Sequence, residues 1–189
     1  MTSESYQSEK VQNWLAALTT SEVLWNAVTA VVAPDLFQAG VSAFSEVIKK
    51  VQLPKKKKKA PVDSWPSIFS GLEIIANRVT FSHRDAGGSP SLLDLLVSLG
   101  SNHHATLALA DLNAELDYSP GTMVYISGRV LEHSVGPWPN GERFVIAHFM
   151  KDAVHNRVGV PRPGFPMQSF FLELVGRRQK GKRQKRGRN

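Results

Sequence analysis

Two histidines and one aspartate have the spacing expected for ligands of a single metal ion. His83 and Asp85 flank Arg84, and His133 follows farther along the chain. On a strand, residues i and i+2 point to the same face, so His83 and Asp85 project together while Arg84 points away. Two imidazoles and one carboxylate are the ligand set of non-haem Fe(II) oxygenases, in which the opposite face of the ion stays open. The spacing therefore predicts a catalytic iron site.

Arg143 lies ten residues after His133 in a segment that alternates like a strand. A guanidinium fixed on a strand that faces the metal pocket is suited to bidentate binding of a carboxylate, here that of 2-oxoglutarate. Each residue alone has an ordinary interpretation: a chance His-x-Asp pair, a half-buried histidine, a charge at a strand edge. Their order, with strands predicted at all three points, favours one site.

Several short motifs surround these residues and carry a resemblance to a known family. They are Asn77-Arg78-Val79-Thr80, His83-Arg84-Asp85, Asp94, Tyr118-Ser119-Pro120-Gly121-Thr122, Gly128, Leu131-Glu132-His133-Ser134-Val135, Gly141-Glu142-Arg143 and Phe149. Over about residues 65–163 the chain resembles the TET/JBP family of Fe(II)/2-oxoglutarate dioxygenases, especially the small fungal members associated with transposons. The resemblance implies Fe(II) and 2-oxoglutarate as cofactors. It also implies a supporting contact from Arg78 to the cosubstrate, for which a structural ion pair, with Asp94 as the suggested partner, is the alternative.

Family enzymes act on a methylated base that is flipped out of the duplex and stacked on an aromatic side chain. Phe149 matches the stacking position, although a strand-borne Phe is more often a core residue; Asn77 and Lys151 are further candidates for substrate binding. Gly88 and Lys151 stand where several members carry the residues that read cytosine. Oxidation of 5-methylcytosine and demethylation of N6-methyladenine therefore both stay open, in DNA or RNA.

The positive charge is concentrated in two segments. The chain has 189 residues, no cysteine and a net charge of +7. Without the eight basic residues of the tail at 177–189 the charge is 7 − 8 = −1, and without the five lysines at 55–59 as well it is −1 − 5 = −6. Such runs are usually solvated, and they suit loose contact with phosphates. A solubilising linker is the alternative for residues 55–59. Residues 182–186 match a nuclear localisation signal, so we expect a nuclear protein.

The lack of cysteine excludes disulfides and a cysteine nucleophile. No signal peptide or run of about 18 apolar residues is evident, so we expect a soluble intracellular monomer that does not enter a membrane.

The order of predicted elements is helices first and strands later. Helices are predicted over residues 8–18, 21–32 and 35–51, and strands over 72–81, 92–99, 105–112, 122–127 and 143–150. This pattern predicts an α+β chain whose core is a double-stranded β-helix, a cupin-like jelly roll, with the N-terminal helices packed outside. We divide it into a helical part (1–53), a Lys/Pro-rich linker (54–61), the dioxygenase core (62–170) and a disordered basic tail (177–189).

Two other functions remain open on the sequence alone. A dioxygenase that acts on a protein side chain or a small molecule would use an identical iron site. A non-catalytic binding module derived from a transposon is the third possibility, disfavoured because each predicted ligand is present.

Overall fold

The computed structural model describes residues 8–52 and 65–165, with the backbone alone at residues 51 and 52. Within these ranges the chain forms α1 (Glu9–Val32), α2 (Pro34–Gln52), β1 (Gly71–Ala76), β2 (Thr80–His83), β3 (Asp94–Ser101), β4 (Thr106–Leu109), β5 (Ala114–Asp117), β6 (Met123–Ile126), β7 (His133–Val135), β8 (Glu142–Phe149) and α3 (Asp152–Val158). A 3-10 helix, Ala110–Leu112, lies between β4 and β5.

The strands form two four-stranded antiparallel sheets. The first has the order β1-β8-β3-β6 and the second β2-β7-β4-β5. Apolar side chains of both sheets meet in an inner core: Ala105, Leu107, Leu109, Tyr118, Val135 and Val145. Two facing antiparallel sheets with alternating inward residues are the arrangement of a jelly roll, which confirms the predicted fold class.

The two N-terminal helices cover the outer face of the first sheet, as predicted. Their shared core with this sheet includes Trp25, Leu36, Leu95, Val97 and Ile146. Polar contacts fix α1 in place: Glu22 Oε1 lies 2.9 Å from His148 Nε2, and neither side chain is exposed. The Thr29 hydroxyl lies 2.8 Å from that of Tyr125. His148 therefore faces the helices, while its neighbours Ala147 and Phe149 lie on the other face of β8.

The predicted break between two short N-terminal helices was wrong, because α1 is continuous. Thr19, Thr20 and Ser21 have modest helix propensity. The Thr19 hydroxyl nevertheless donates a hydrogen bond to Leu15 O, one turn earlier in the helix, at 3.4 Å, so this polar group has a partner inside the helix. Leu15 and Glu22 are buried on either side of this point, so packing on the sheet outweighs the local preference. The next predicted helix is confirmed as α2, with Pro34 in its first turn.

The single strand predicted over residues 72–81 was also wrong, because two strands in different sheets occupy this segment. β1 pairs with β8 in the first sheet, and β2 pairs with β7 in the second. Asn77 has a φ of 45°, a left-handed conformation that asparagine tolerates, and it turns the chain between the sheets. The chain thus changes sheet just before His83. Strand β5 and helix α3 were not predicted, and β7 was expected at His133 without a range. The strand predicted over residues 105–112 ends at Leu109 and is followed by the 3-10 helix.

Helix α1 is long and apolar enough to cross a membrane by length and composition, although the sequence analysis found no such run. Its most apolar window has a mean hydropathy of 1.4, and 22% of that window is buried in the fold. Polar residues interrupt the apolar ones, but Glu22 is the one charged residue between Val11 and Val32. Core helices of soluble proteins and signal sequences pass the same test, so this is weak evidence.

The predicted linker at 54–61 and the basic tail at 177–189 lie outside the described residues. The domain boundaries stay predictions.

Candidate metal centre

The three predicted ligands lie on two neighbouring strands of the second sheet. His83 ends β2, Asp85 follows it, and His133 begins β7. His83 and His133 are direct partners in the antiparallel pairing of these strands. Paired residues point to the same face of a sheet, and the two imidazole centroids are 4.4 Å apart.

A β-bulge turns His83 toward this face. Thr80 pairs with Val135 and His83 with His133, so β2 has one more residue than β7 between these pairs. In a regular strand, residues three apart point to opposite faces, and the bulge removes this conflict. The sequence analysis assumed a regular strand and did not predict the bulge.

The ligand atoms lie close enough to hold one ion. His83 Nε2 is 3.4 Å from Asp85 Oδ1, and His133 Nε2 is 3.8 Å from Asp85 Oδ2. All three ligand atoms lie within 4.8 Å of one another. Ligand atoms about 2.1 Å from an ion and at right angles would be about 3 Å apart. A small contraction around the ion would therefore complete the site.

Backbone hydrogen bonds set the protonation pattern of both histidines. His83 Nδ1 lies 2.8 Å from Phe81 O, and His133 Nδ1 lies 3.0 Å from Leu131 O. A carbonyl only accepts hydrogen bonds, so each Nδ1 carries a proton, which leaves Nε2 of each ring as the nitrogen that can bind a metal. The two Nε2 atoms and the Asp85 carboxylate converge on one point. A divalent cation fits this donor set.

Gly128 and Asp94 lie directly against Asp85. Asp85 N donates to Gly128 O at 2.8 Å. A Cβ at Gly128 would overlap the Asp85 carboxylate and lie 2.8 Å from Asp94 Oδ2, so the close approach requires glycine. Burial, together with the negative charge of Asp85, raises the pKa of Asp94 to about 7. Asp94 was considered only as an ion-pair partner of Arg78, and neither residue was predicted to contact Asp85.

Arg143 is buried in the interior that the triad also faces. It is 2% exposed and lies on the same face of β8 as Val145, which packs in the inner core with Tyr118 and Val135. Val135 and His133 share one face of β7. Arg143 therefore extends from the first sheet into the space enclosed with the second.

The Arg143 guanidinium lies near two aromatic rings and lacks an acidic partner. Its central carbon lies 5.2 Å from the Tyr118 ring and 5.5 Å from the Trp138 ring. Nη1 donates to Arg78 O at 3.2 Å, but Nε has no hydrogen-bond partner, and no carboxylate within residues 8–52 and 65–165 pairs with the guanidinium. Burial lowers the pKa of Arg143. A buried cation without a counter-charge is a site for an anionic ligand group.

The sequence analysis missed the contributions of Tyr118 and Trp138. Tyr118 is distant from Arg143 in sequence, and a turn separates Trp138 from it. Their spacing therefore did not indicate that the two rings would lie near the guanidinium.

Asn77 and Arg78 contact Arg143 through different groups. Asn77 Oδ1 accepts a hydrogen bond from Arg143 N at 2.8 Å. The Arg78 side chain is half-exposed, and its Nη2 lies 3.8 Å from Glu73 Oε1. The backbone carbonyl of Arg78 accepts a hydrogen bond from the Arg143 guanidinium. An ion pair, the alternative for Arg78, is therefore present, but its partner is Glu73 and not the suggested Asp94. The predicted roles of Asn77 in substrate binding and of Arg78 in cosubstrate binding stay predictions.

Phe149 and Lys151 lie at the opposite end of β8 from Arg143. Phe149 pairs with Gly71, and its ring covers that residue so closely that a Cβ there would overlap it. Lys151 Nζ lies 5.7 Å from the centroid of the same ring. Phe149 shares the inner face with Arg143, about 20 Å along the strand by the usual rise per residue. Their substrate roles stay predictions.

Two facing sheets with a His, Asp, His triad on the inner side define a class, the double-stranded β-helix proteins with a facial metal site. The family model Tet_JBP, described as the oxygenase domain of the 2OGFeDO superfamily, matches residues 1–152. The chain belongs to this family, which confirms the resemblance found in its motifs. The superfamily uses Fe(II) and 2-oxoglutarate, as predicted.

One solved structure shows the same fold. The structure described as NgTET1 in complex with 5mC DNA has a TM-score of 0.56 and 15% sequence identity, over 93% of this chain and 62% of that one. The chain thus spans less than two thirds of the length of NgTET1. A second match is a Cupin 2 conserved barrel domain protein from Salinispora arenicola CNS-205. It aligns with 50% of this chain and 76% of that chain, with 16% sequence identity and a TM-score of 0.35. No curated protein matches the chain.

Proposed function

We propose that this chain is an Fe(II)/2-oxoglutarate-dependent dioxygenase that oxidises a methylated base in DNA, by oxidation of 5-methylcytosine or demethylation of N6-methyladenine. One observation carries the proposal. The Nε2 atoms of His83 and His133 converge on the Asp85 carboxylate, and backbone carbonyls hold both rings in the tautomer that binds a metal. Membership of an oxygenase family supports the same chemistry.

The residues divide the work between holding the ion and orienting the cosubstrate. His83, Asp85 and His133 would hold one face of Fe(II), and Arg143 would bind the far carboxylate of 2-oxoglutarate. The nearby Tyr118 and Trp138 rings would restrict the Arg143 guanidinium, so that it is oriented before the carboxylate arrives. When bound, Fe(II) and 2-oxoglutarate supply the activation of O₂ that oxidises a C–H bond, with succinate and CO₂ as co-products.

Three features support a nucleic-acid substrate. The structurally similar NgTET1 was solved with 5mC DNA. Phe149 offers an aromatic face on the inner side of β8, with the Lys151 ammonium nearby. The lysines at 55–59 and the basic tail at 177–189 would contact phosphates without sequence preference.

The direct test is turnover of defined substrates. The full chain is incubated with Fe(II), 2-oxoglutarate and duplexes that carry 5-methylcytosine, N6-methyladenine or no modification, and a methylated RNA strand is included. We expect an oxidised or demethylated nucleoside by mass spectrometry, together with succinate, and neither product with Asp85→Asn. Formation of succinate without oxidation of any base would contradict the proposal that the substrate is a methylated base. Equal succinate formation by the wild type and Asp85→Asn would contradict the iron site.

Phe149 separates base recognition from cosubstrate chemistry. Loss of a stacking platform costs roughly 1 to 3 kcal/mol per base, so Phe149→Ala should lower turnover of the methylated duplex about 5- to 150-fold. Phe165→Ala is a matched control, because Phe165 is a partly exposed aromatic outside the two sheets. An unchanged rate in Phe149→Ala would assign this ring to packing over Gly71 alone.

The basic segments are tested by salt. Deletion of residues 177–189 should weaken DNA binding and flatten its dependence on salt, because each lost phosphate contact removes about one released counterion. Turnover of a saturating short duplex should change little. We also propose that residues 182–186 direct the chain to the nucleus, which the localisation of a fluorescent fusion with and without the tail tests.

A further inference from the structure

Side chains on the outer face of the second sheet link the segments that carry the ligands. Successive residues of a strand point to opposite faces, so Ser82 and Arg84 alternate with His83 and Asp85, and Glu132 alternates with His133. These outward residues contact one another and Asp111, which lies in the 3-10 helix after β4. We call Ser82, Arg84, Asp111 and Glu132 the outer clamp.

Arg84 makes three contacts to segments remote in sequence. Nη2 lies 2.7 Å from Asp111 Oδ1, and Nη1 lies 3.3 Å from Glu132 Oε2. Nε donates to Val130 O at 3.0 Å. Val130 belongs to the turn that begins at Ser127 and includes Gly128. The carbonyl oxygen of Gly128 accepts a hydrogen bond from the Asp85 amide. One guanidinium thus contacts the segment just before His133 and the turn that covers Asp85.

Glu132 and Asp111 complete the clamp. Glu132 Oε1 accepts a hydrogen bond from the Ser82 hydroxyl at 2.7 Å, and Glu132 N donates to Asp111 Oδ2 at 2.6 Å. Asp111 therefore bridges Arg84 and the backbone next to His133. It follows Leu109, which pairs with His133 in the sheet. Both ligand-bearing segments are fixed to the same short helix.

We propose that Arg84 is a positioning residue, which holds the His83–Asp85 segment and the Glu132–His133 segment at the separation that one metal ion requires. This inference rests on the proposed iron site. The charged side chains of the clamp, Arg84, Asp111 and Glu132, are 35–45% exposed, so each ion pair should add little to global stability. A planar guanidinium with three acceptors in fixed directions instead restricts geometry, which a flexible ammonium cannot reproduce. The expected effect is on the metal site more than on folding.

The test uses Co(II) as a spectroscopic probe of the full chain. The dissociation constant and the visible absorption spectrum are measured for the wild type, Arg84→Ala and Arg84→Lys. Loss of a residue that orients metal ligands typically weakens metal binding 10- to 100-fold, and we expect a loss of about this size in Arg84→Ala with an altered spectrum. Arg84→Lys should restore binding in part. Arg129→Ala removes a nearby exposed arginine and should behave like the wild type.

A second variant guards against misfolding of the first. Glu132→Gln keeps the size of the side chain and an acceptor for Ser82, but removes the charge that Arg84 contacts, so we expect a smaller loss of Co(II) affinity. Wild-type affinity and spectrum in both Arg84→Ala and Glu132→Gln would overturn the inference. A lower thermal stability without any change in Co(II) binding would also overturn it. If the wild type binds no Co(II), the proposed iron site itself fails.

Discussion

Asn77 and Arg143 form a reciprocal pair of hydrogen bonds. Asn77 N donates to Arg143 O at 2.8 Å, and Asn77 Oδ1 accepts from Arg143 N at the same distance. Asn77 also has the left-handed backbone that carries the chain from the first sheet to the second. Asn77, at which the chain passes from the first sheet to the second, thus fixes the backbone of the buried Arg143.

We predict that Asn77→Gly raises the KM for 2-oxoglutarate with a smaller change in kcat. Glycine keeps the left-handed φ but removes the acceptor of the Arg143 amide, which should cost about 1 kcal/mol of stability and loosen the guanidinium. Steady-state kinetics with varied 2-oxoglutarate and urea unfolding measure the two effects. Asn113→Gly is the matched control, because Asn113 has a φ of 46° and is exposed. Equal kinetics in both variants would contradict the role of Asn77.

A second prediction concerns the turn over Asp85. Gly128→Ala should weaken metal binding strongly, because its methyl group would overlap the Asp85 carboxylate and press on Asp94. Gly136→Ala introduces the same methyl group where no atom lies within 4 Å, and its metal affinity should stay at the wild-type level. Calorimetric titration with Co(II) compares the two variants. Normal affinity in Gly128→Ala would mean that the turn can move away from the ligands.

The buried contact between Glu22 and His148 should contribute strongly to stability. Glu22→Ala leaves the buried His148 Nε2 without a hydrogen-bond partner, and leaving a buried polar group unsatisfied costs about 1 to 3 kcal/mol. Glu46→Ala removes an exposed ion pair with Lys49 on α2 and should cost less than about 1 kcal/mol. Urea unfolding of both variants measures the difference. Similar losses would show that α1 docks without this contact.

His155 should make stability depend on pH in mildly acidic solution. Burial lowers the pKa of His155, Arg162 lowers it further, and hydrogen bonding to Val160 and the charge of Asp152 oppose the shift. The unfolded state therefore takes up a proton more readily than the folded state as pH falls below about 6.5. The contribution is fully present above that pH and is lost as pH falls through the lower folded value.

We predict that the free energy of unfolding of His155→Phe falls less than that of the wild type between pH 7 and pH 5. Phenylalanine fills the buried site without a titrating group. Urea unfolding at several pH values gives the two slopes, and His104→Phe, at an exposed position, should keep the wild-type slope. Parallel curves for His155→Phe and the wild type would exclude His155 as the titrating group.

The sequence by itself determined the features that depend on local periodicity. Alternation along a strand is a property of two or three neighbouring residues, so His83, Asp85 and the outward direction of Arg84 were predictable without a partner strand. The same holds for the Arg143 strand, for the apolar stripe of α2 and for the motifs that place the chain in its family.

Tertiary structure alone decided which distant residues meet. The bulge before His83 exists because β2 must pair with β7, and the left-handed turn at Asn77 exists because β1 and β2 belong to different sheets. The outer clamp, the Tyr118 ring near Arg143 and the contact of Glu22 with His148 join residues far apart in sequence. Such contacts depend on strand register and sheet packing. These are set by the burial of the whole core, so no local spacing in the chain specifies them.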